Sequence, residues 1–214
     1  MKSAVFSLFL LLLYSFSAEA QDIFAYPLNN QSRAEVTAIT SRLASHKIIK
    51  ASFTQTKEIS RLSRTFTSKG NMIFAAERGL LWEVTKPFPS TTIITDEKII
   101  QKSASGKISS LSVGDNDTFK RFSSTIQAIF KGDFPSIEKN FEIYFFKAAA
   151  GNWIIGLKPR DKTLRALIAS IQIHGKIDLS EFILTEANGD TVTYRFSNIT
   201  YPVELSPADE KAFF

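Results

Sequence analysis

Alternation with a period of two, cut into short runs by turn residues, constrains this chain more than any other feature. From Gly70 a run places Met72, Phe74 and Ala76 on one side and Ile73, Ala75 and Glu77 on the other. Leu80, Trp82 and Val84 then alternate with Leu81 and Glu83 until Pro87 and Pro89 break the pattern. Successive strand side chains point to opposite faces, so such runs read as strands. The same reading predicts strands over 53–59, 90–95, 98–102, 107–113, 141–147, 153–158, 171–174, 180–186 and 191–197. Turn signals separate them: Ser105-Gly106, Ala150-Gly151-Asn152, Gly175 and Asn188-Gly189. Asn-Gly tolerates the positive φ that tight hairpin turns demand, so sequential strands are expected to pair antiparallel.

Two segments change period. Over 32–45, Val36, Ile39 and Leu43 recur at helical steps, with Ser32 as the expected N-cap and Glu35 three residues on. Between Asp117 and Lys131, Phe119, Phe122, Ile126, Ile129 and Phe130 form one apolar stripe. Gly132 stops that helix, Asp115 or Asp117 caps its start, and a shorter helical turn is expected over 134–139. No long loop is expected apart from the residues near Arg160. An amphipathic stripe must be buried, so the expected architecture is mainly β: a single curved antiparallel sheet forming an unclosed barrel. The N-terminal helix and a mid-chain helical lid cover its concave face.

The first twenty residues differ from the rest. Lys2, an apolar run from Ala4 to Leu13 and the small residues of Ala18-Glu19-Ala20 make a secretory signal with cleavage after Ala20. The apolar run falls short of the ~20 residues that span a bilayer, which disfavours a membrane anchor. Residues 21–214 then form one domain, with no repeat or charge block to mark a second. The chain has no Cys, so neither a disulfide nor a lipid anchored on sulfur is available. An exported, soluble, periplasmic monomer is expected, stabilised by a core that buries roughly 70% of the unfolded surface.

The net charge is +5, and removing Lys2 and Glu19 leaves it there. Its basic residues are scattered among strands and turns, which argues against a nucleic-acid footprint. His46 and His174 lack metal-ligand spacing, and there is no phosphate-binding Gly-rich loop or nucleophile elbow. Asp115 with Asp117 and Glu181 with Glu186 suit a helix start and a strand edge better than a catalytic pair. No catalytic residue, metal site or cofactor is assigned. Phe outnumbers Tyr by 19 to 5, so the interior is apolar with few hydroxyl groups. Such a surface either forms an ordinary core or holds an aliphatic ligand without stranding polar groups.

Short motifs in order narrow this choice. Ala51-Ser52-Phe53-Thr54-Gln55-Thr56, then Gly70, then Leu81-Trp82-Glu83 with Pro87, then Ile93 to Asp96 with Lys98, resemble the LolA family of periplasmic outer-membrane lipoprotein carriers. Leu157-Lys158-Pro159 and the 186–196 hairpin continue the likeness over most of the chain after Ala20. The run Gly79-Leu80-Leu81-Trp82 with Pro87-Phe88-Pro89 is more similar to LolA-like proteins associated with polyene or other lipid export. The resemblance implies an unclosed barrel, lidded by helices, whose hydrophobic cavity takes acyl chains. Its implied cargo is a lipoprotein or another lipid, received from inner-membrane export machinery and passed to an outer-membrane acceptor.

On this reading Phe53, Met72, Phe74, Leu80, Trp82 and Val84 line the cavity from the sheet, and Phe119, Phe122, Ile126, Ile129 and Phe130 line it from the lid. Family members carry a Lys-Arg-Pro whose Arg fastens the lid. Ala75, Ala76 and Glu77 stand there instead, and Arg78, two places beyond that Arg, is the candidate latch. Two alternatives stay open: a lipid-sensing or scaffold module whose curved sheet is filled by its own side chains, and a hydrolase built on unrecognised carboxylates.

Overall fold

The computed structural model describes residues 22–112, 117–148 and 150–213, with backbone alone over 117–122. The expected signal, residues 1–20, and the Asp115 cap lie outside the described residues. Eleven strands form a single antiparallel sheet: β1 (Ile48–Ile59), β2 (Arg64–Ala75), β3 (Gly79–Lys86), β4 (Ser90–Ile94), β5 (Lys98–Lys102), β6 (Ile108–Ser112), β7 (Phe141–Lys147), β8 (Trp153–Pro159), β9 (Ile168–Gly175), β10 (Leu179–Glu186) and β11 (Thr191–Thr200). In space they run β6, β5, β4, β3, β2, β1, β11, β10, β9, β8, β7. The edges β6 and β7 do not pair, so the barrel is open.

That order explains where the helices go. Tight hairpins make nearly every connection, but the chain leaving edge β6 must reach the opposite edge at β7. It does so through α2 (Asp117–Lys131) and α3 (Phe134–Asn140). Ala128, Ile129, Phe134 and Ile137 of these helices bury with Val36 and Ile39 of α1 (Asn30–Ala44) against Ile143, Ile155, Leu157 and Ile173. This half of the concave side is the larger of the sheet's two concave clusters. A second cluster, with Ile49, Ala51, Phe53, Met72, Phe74, Leu80 and Ile94, fills the β1–β4 half and meets α2 at Phe130.

Strand limits agree with the alternation to within about two residues except at β1, β2, β9 and β11, which run longer. β1 begins at Ile48, before the expected Phe53, because Ile49 faces the concave cluster while Ile48 packs on the convex side. A strand covered on both faces loses its alternation. β2 begins at Arg64 because its first residues form an exposed hairpin arm with no apolar face. The α1 cap also differs from expectation. Asn29 accepts hydrogen bonds from the Gln31 and Ser32 N–H groups, and Ser32 Oγ accepts from the Asn29 N–H at 2.9 Å. The box therefore starts three residues earlier, and Glu35 is free to pair with Lys147. Residues 26–28 lie along the β7 edge, where the Phe145 N–H donates to Tyr26 and the Leu28 N–H donates to Ile143. That edge is thereby covered.

Two short helices were not expected. α4 (Lys162–Arg165), capped by Asp161, occupies the segment near Arg160. α5 (Pro207–Ala212) opens with a Ser206/Asp209 capping box and lies on the convex face. There Phe213 and Leu205 cover Ile48, Ile73, Ala75, Leu81 and Ile93. The sheet is thus covered in part on both sides.

Candidate functional site

Phe53, Gly70 and Trp82 explain one another. Phe53 of β1 stands directly opposite Gly70 of β2. A Cβ on Gly70 would lie 1.9 Å from the Glu83 carbonyl oxygen and 2.6 Å from the Phe53 ring. The missing side chain lets that ring cross β2 and stack on Trp82 of β3, with centroids 4.2 Å apart and planes at 24°. Tyr194 of β11 meets the indole edge-on at 4.9 Å, and Phe196 does so at 6.3 Å. The sheet has curled far enough for β3 and β11 to touch across β1 and β2.

Above this aromatic floor runs an apolar groove of about 240 Å³. Leu80, Trp82, Thr92 and Ile94 wall one side, Phe182, Tyr194 and Phe196 the other, and Ile126 and Phe130 of α2 roof it. A second, smaller hollow of about 50 Å³ lies deeper, among Met72, Ile129, Phe130, Phe196 and residues of α1, α3 and β7–β9. Phe130 and Phe196 line both and form the partition. Burial, with Glu186 second, pushes the Tyr194 phenol up to about 12. Among the described residues no charged side chain lines either hollow.

The expected residues therefore divide. Met72, Leu80, Trp82, Ile126, Ile129 and Phe130 face the hollows. Phe53 and Phe74 are buried beneath them, and Val84 packs against the same cluster. The side chains of Phe119 and Phe122 lie outside the described residues. The far wall of Phe182, Tyr194 and Phe196 was not anticipated, although Val192, Tyr194 and Phe196 already share one face by alternation.

Among the described residues, two side chains tie the roof helix to the β4–β5 turn. Ser123 Oγ donates to the Thr95 carbonyl at 3.1 Å, and the Lys131 ammonium lies 3.7 Å from Asp96. Gly132 ends α2 at φ 61°, and a Cβ there would meet the Thr40 carbonyl of α1 at 2.3 Å. Arg78 lies 3.8 Å from Glu210 of α5 and borders the same surface depression as Asp96 and Phe213. It stands beside the turn that α2 grips.

A larger hollow, about 570 Å³, is on the convex side between α5 and β1–β6. Lys50, Glu83, Lys102, Asp209 and Lys211 line it, so an acyl chain placed there would desolvate charges. Volume alone does not choose the site. Among the described residues, no group of three or more His, Asp or Glu is placed to hold a metal ion.

A family model, the outer membrane lipoprotein carrier protein LolA, matches residues 44–210. The chain belongs to the LolA family. The match spans the sheet from β1 to α5, including the groove and its α2 roof. Among solved structures, a LolA superfamily protein from Nitrosomonas europaea is similar over 84% of this LolA-family chain and 97% of its own, at 7% identity and a TM-score of 0.44. Lipoprotein LppX from Mycobacterium tuberculosis is similar over 81% and 99%, at 10% identity and 0.43. A DUF1329 family protein from Desulfovibrio piger is similar over 83% and 95%, at 9% identity and 0.48. No curated protein matches the chain.

Proposed function

We propose that this LolA-family protein is a periplasmic carrier that shields the acyl chains of a lipoprotein or another lipid. On this reading it receives cargo from inner-membrane export machinery and passes it to an outer-membrane acceptor. The observation that carries the proposal is the groove of about 240 Å³ under α2, walled by Trp82, Tyr194 and Phe196 and lined by no charge among the described residues. A neutral apolar wall lets hydrocarbon leave water without stranding polar groups. Each buried CH₂ contributes ~0.8 kcal/mol, so a sixteen-carbon chain contributes on the order of 12 kcal/mol. Release into water is then slow, and cargo must pass directly to an acceptor.

A chain long enough to use both hollows must part Phe130 from Phe196, which line both. Raising α2 to do so breaks the Ser123 and Lys131 contacts with the β4–β5 turn. Arg78 acts on the lid through that same turn.

The fullness of the interior beneath α2 supports a second reading, a periplasmic lipid-sensing or scaffold module that moves nothing. Replacing Ile126 by Asp puts a carboxylate in the groove roof. Retention of a fluorescent lipid should then fall to background while circular dichroism is unchanged; full retention would reject the groove. Native mass spectrometry of fresh protein separates the two readings, since co-purifying lipid fits the carrier and an empty monomer the module.

A further inference from the structure

The topology gathers what the sequence scatters. The turns at 60–63, 87–89, 103–107, 160–167 and 187–190 all lie at one end of the sheet, because β1, β3, β5, β8 and β10 end there. Among the described residues seven large apolar side chains stand most exposed, and five of them, Leu62, Phe66, Phe88, Ile108 and Leu167, are at this rim. Each of four successive turns also sets a cation beside its apolar group: Arg61 with Leu62, Lys86 with Phe88, Lys107 with Ile108 and Arg165 with Leu167. Arg64 and Lys69 flank Phe66 on the β2 arm.

These cations are exposed, and none has a carboxylate within ion-pair distance among the described residues. The rim's own acids are mostly engaged. Glu186 holds Lys57 at 2.8 Å, Asp190 accepts the Ser60 N–H, Asp161 caps α4 and Glu142 accepts from the Tyr144 hydroxyl at 3.1 Å, leaving Glu58 and Glu142 exposed. The opposite rim is different: Glu77 neighbours Arg78, Asp96 and Glu97 precede Lys98, and Asp178 follows Lys176. The molecule is therefore polar from end to end, with one basic and greasy rim.

We propose that this rim docks on an anionic lipid bilayer, its cations against headgroup phosphates and Leu62, Phe66 and Phe88 inserted at the acyl boundary. Basic side chains alternating with exposed aromatic and aliphatic ones are the chemistry of interfacial binding. The β1–β2 arm suits insertion. Arg64–Ser68 lie beyond the last β2–β3 pair at Lys69, so β2 overhangs β3 by five residues, ~17 Å at strand rise, while β1 stays paired with β11 up to Glu58 and holds the arm at the rim. Phe66 continues the face of Gly70, Met72 and Phe74, and Leu80, Trp82 and Val84 on β3 lead from the groove towards Lys86. A chain leaving the bilayer at this rim would meet the groove wall next. Docking itself does not depend on the groove holding a lipid.

The test is co-sedimentation of the purified protein with vesicles of phosphatidylcholine mixed with phosphatidylglycerol, against vesicles of phosphatidylcholine alone. Binding should favour the anionic vesicles and weaken as salt is raised. Replacing Arg61, Arg64 and Lys86 by Gln should weaken it on the order of a hundredfold, about fivefold per cation. Replacing Leu62, Phe66 and Phe88 by Ser should abolish the binding that survives high salt. All six side chains are exposed, so melting temperature should hold in both variants. No binding, equal binding to both vesicle types, or undiminished binding by the Gln variant overturns the proposal. Ile126→Asp protein should still bind vesicles, which separates a failure of the groove from a failure of the rim.

Discussion

Replacing Phe130 by Ala probes the partition between the two hollows. The ring is 8% exposed, stacks on Phe74 with centroids 5.6 Å apart, and lines both cavities. Exposing the lost apolar area costs ~2–3 kcal/mol. Losing the aromatic pair adds ~0.5–1.5 kcal/mol. A void beside an existing hollow collapses poorly, so the total should reach ~3–4 kcal/mol, within the usual span for Phe to Ala. Urea unfolding of the lipid-free protein measures that loss. The substitution also joins the hollows, so the variant should gain affinity for long fatty acids relative to short ones. Each added methylene that finds room is worth about fourfold. Saturating long-chain ligand should restore part of the lost stability, because it binds only the folded state. A loss under ~1 kcal/mol, or a chain-length profile identical to the parent's, would refute the partition.

Gly70→Ala should cost ~1–3 kcal/mol by forcing the Phe53 ring and the Glu83 carbonyl apart, and should shift the emission of Trp82; an unchanged spectrum contradicts the packing. Phe213→Ala should cost ~3 kcal/mol in urea unfolding, because the ring is buried against Ile73, Leu81 and Ile93 on the convex face, while lipid retention stays at the parent's level. Burial holds the His174 imidazole below its ordinary value against the opposing pull of Glu181 3.9 Å away. The unfolded chain then binds the proton more readily, so this contribution is complete above the unfolded value near ~6.5 and is lost as pH falls through the folded one. The melting temperature should accordingly fall less between pH 7.5 and 5 in His174→Gln than in the parent.

The alternating strands were the most legible part of the fold, since an antiparallel sheet with one dominant apolar side writes its period into the chain. β5 and β7 begin and end where alternation places them. Legibility failed where burial is two-sided, as at Ile48-Ile49, and where a polar arm has no apolar face, as over 64–69. Half of the groove was also readable, because Leu80, Trp82, Ile126 and Phe130 carry clear strand or helix spacing. The wall from β10 and β11 was not, since only the β1–β11 pairing brings Tyr194 and Phe196 across from Trp82. The convex cover by Phe213 was missed although Ser206 and Asp209 already have capping-box spacing. The basic rim was invisible for the same reason as the far wall: its cations come from four turns and the β2 arm, which only the sheet order brings together.

Photolabelling bears on the groove most directly. A fatty acid carrying a diazirine near its methyl end, irradiated with the protein and mapped by peptide mass spectrometry, should mark β3 around Trp82, α2 over 126–130 and β11 around Tyr194 and Phe196. Labels confined to the convex residues Ile100, Ile108 and Lys211, or no label at all, would contradict a lipid-holding groove.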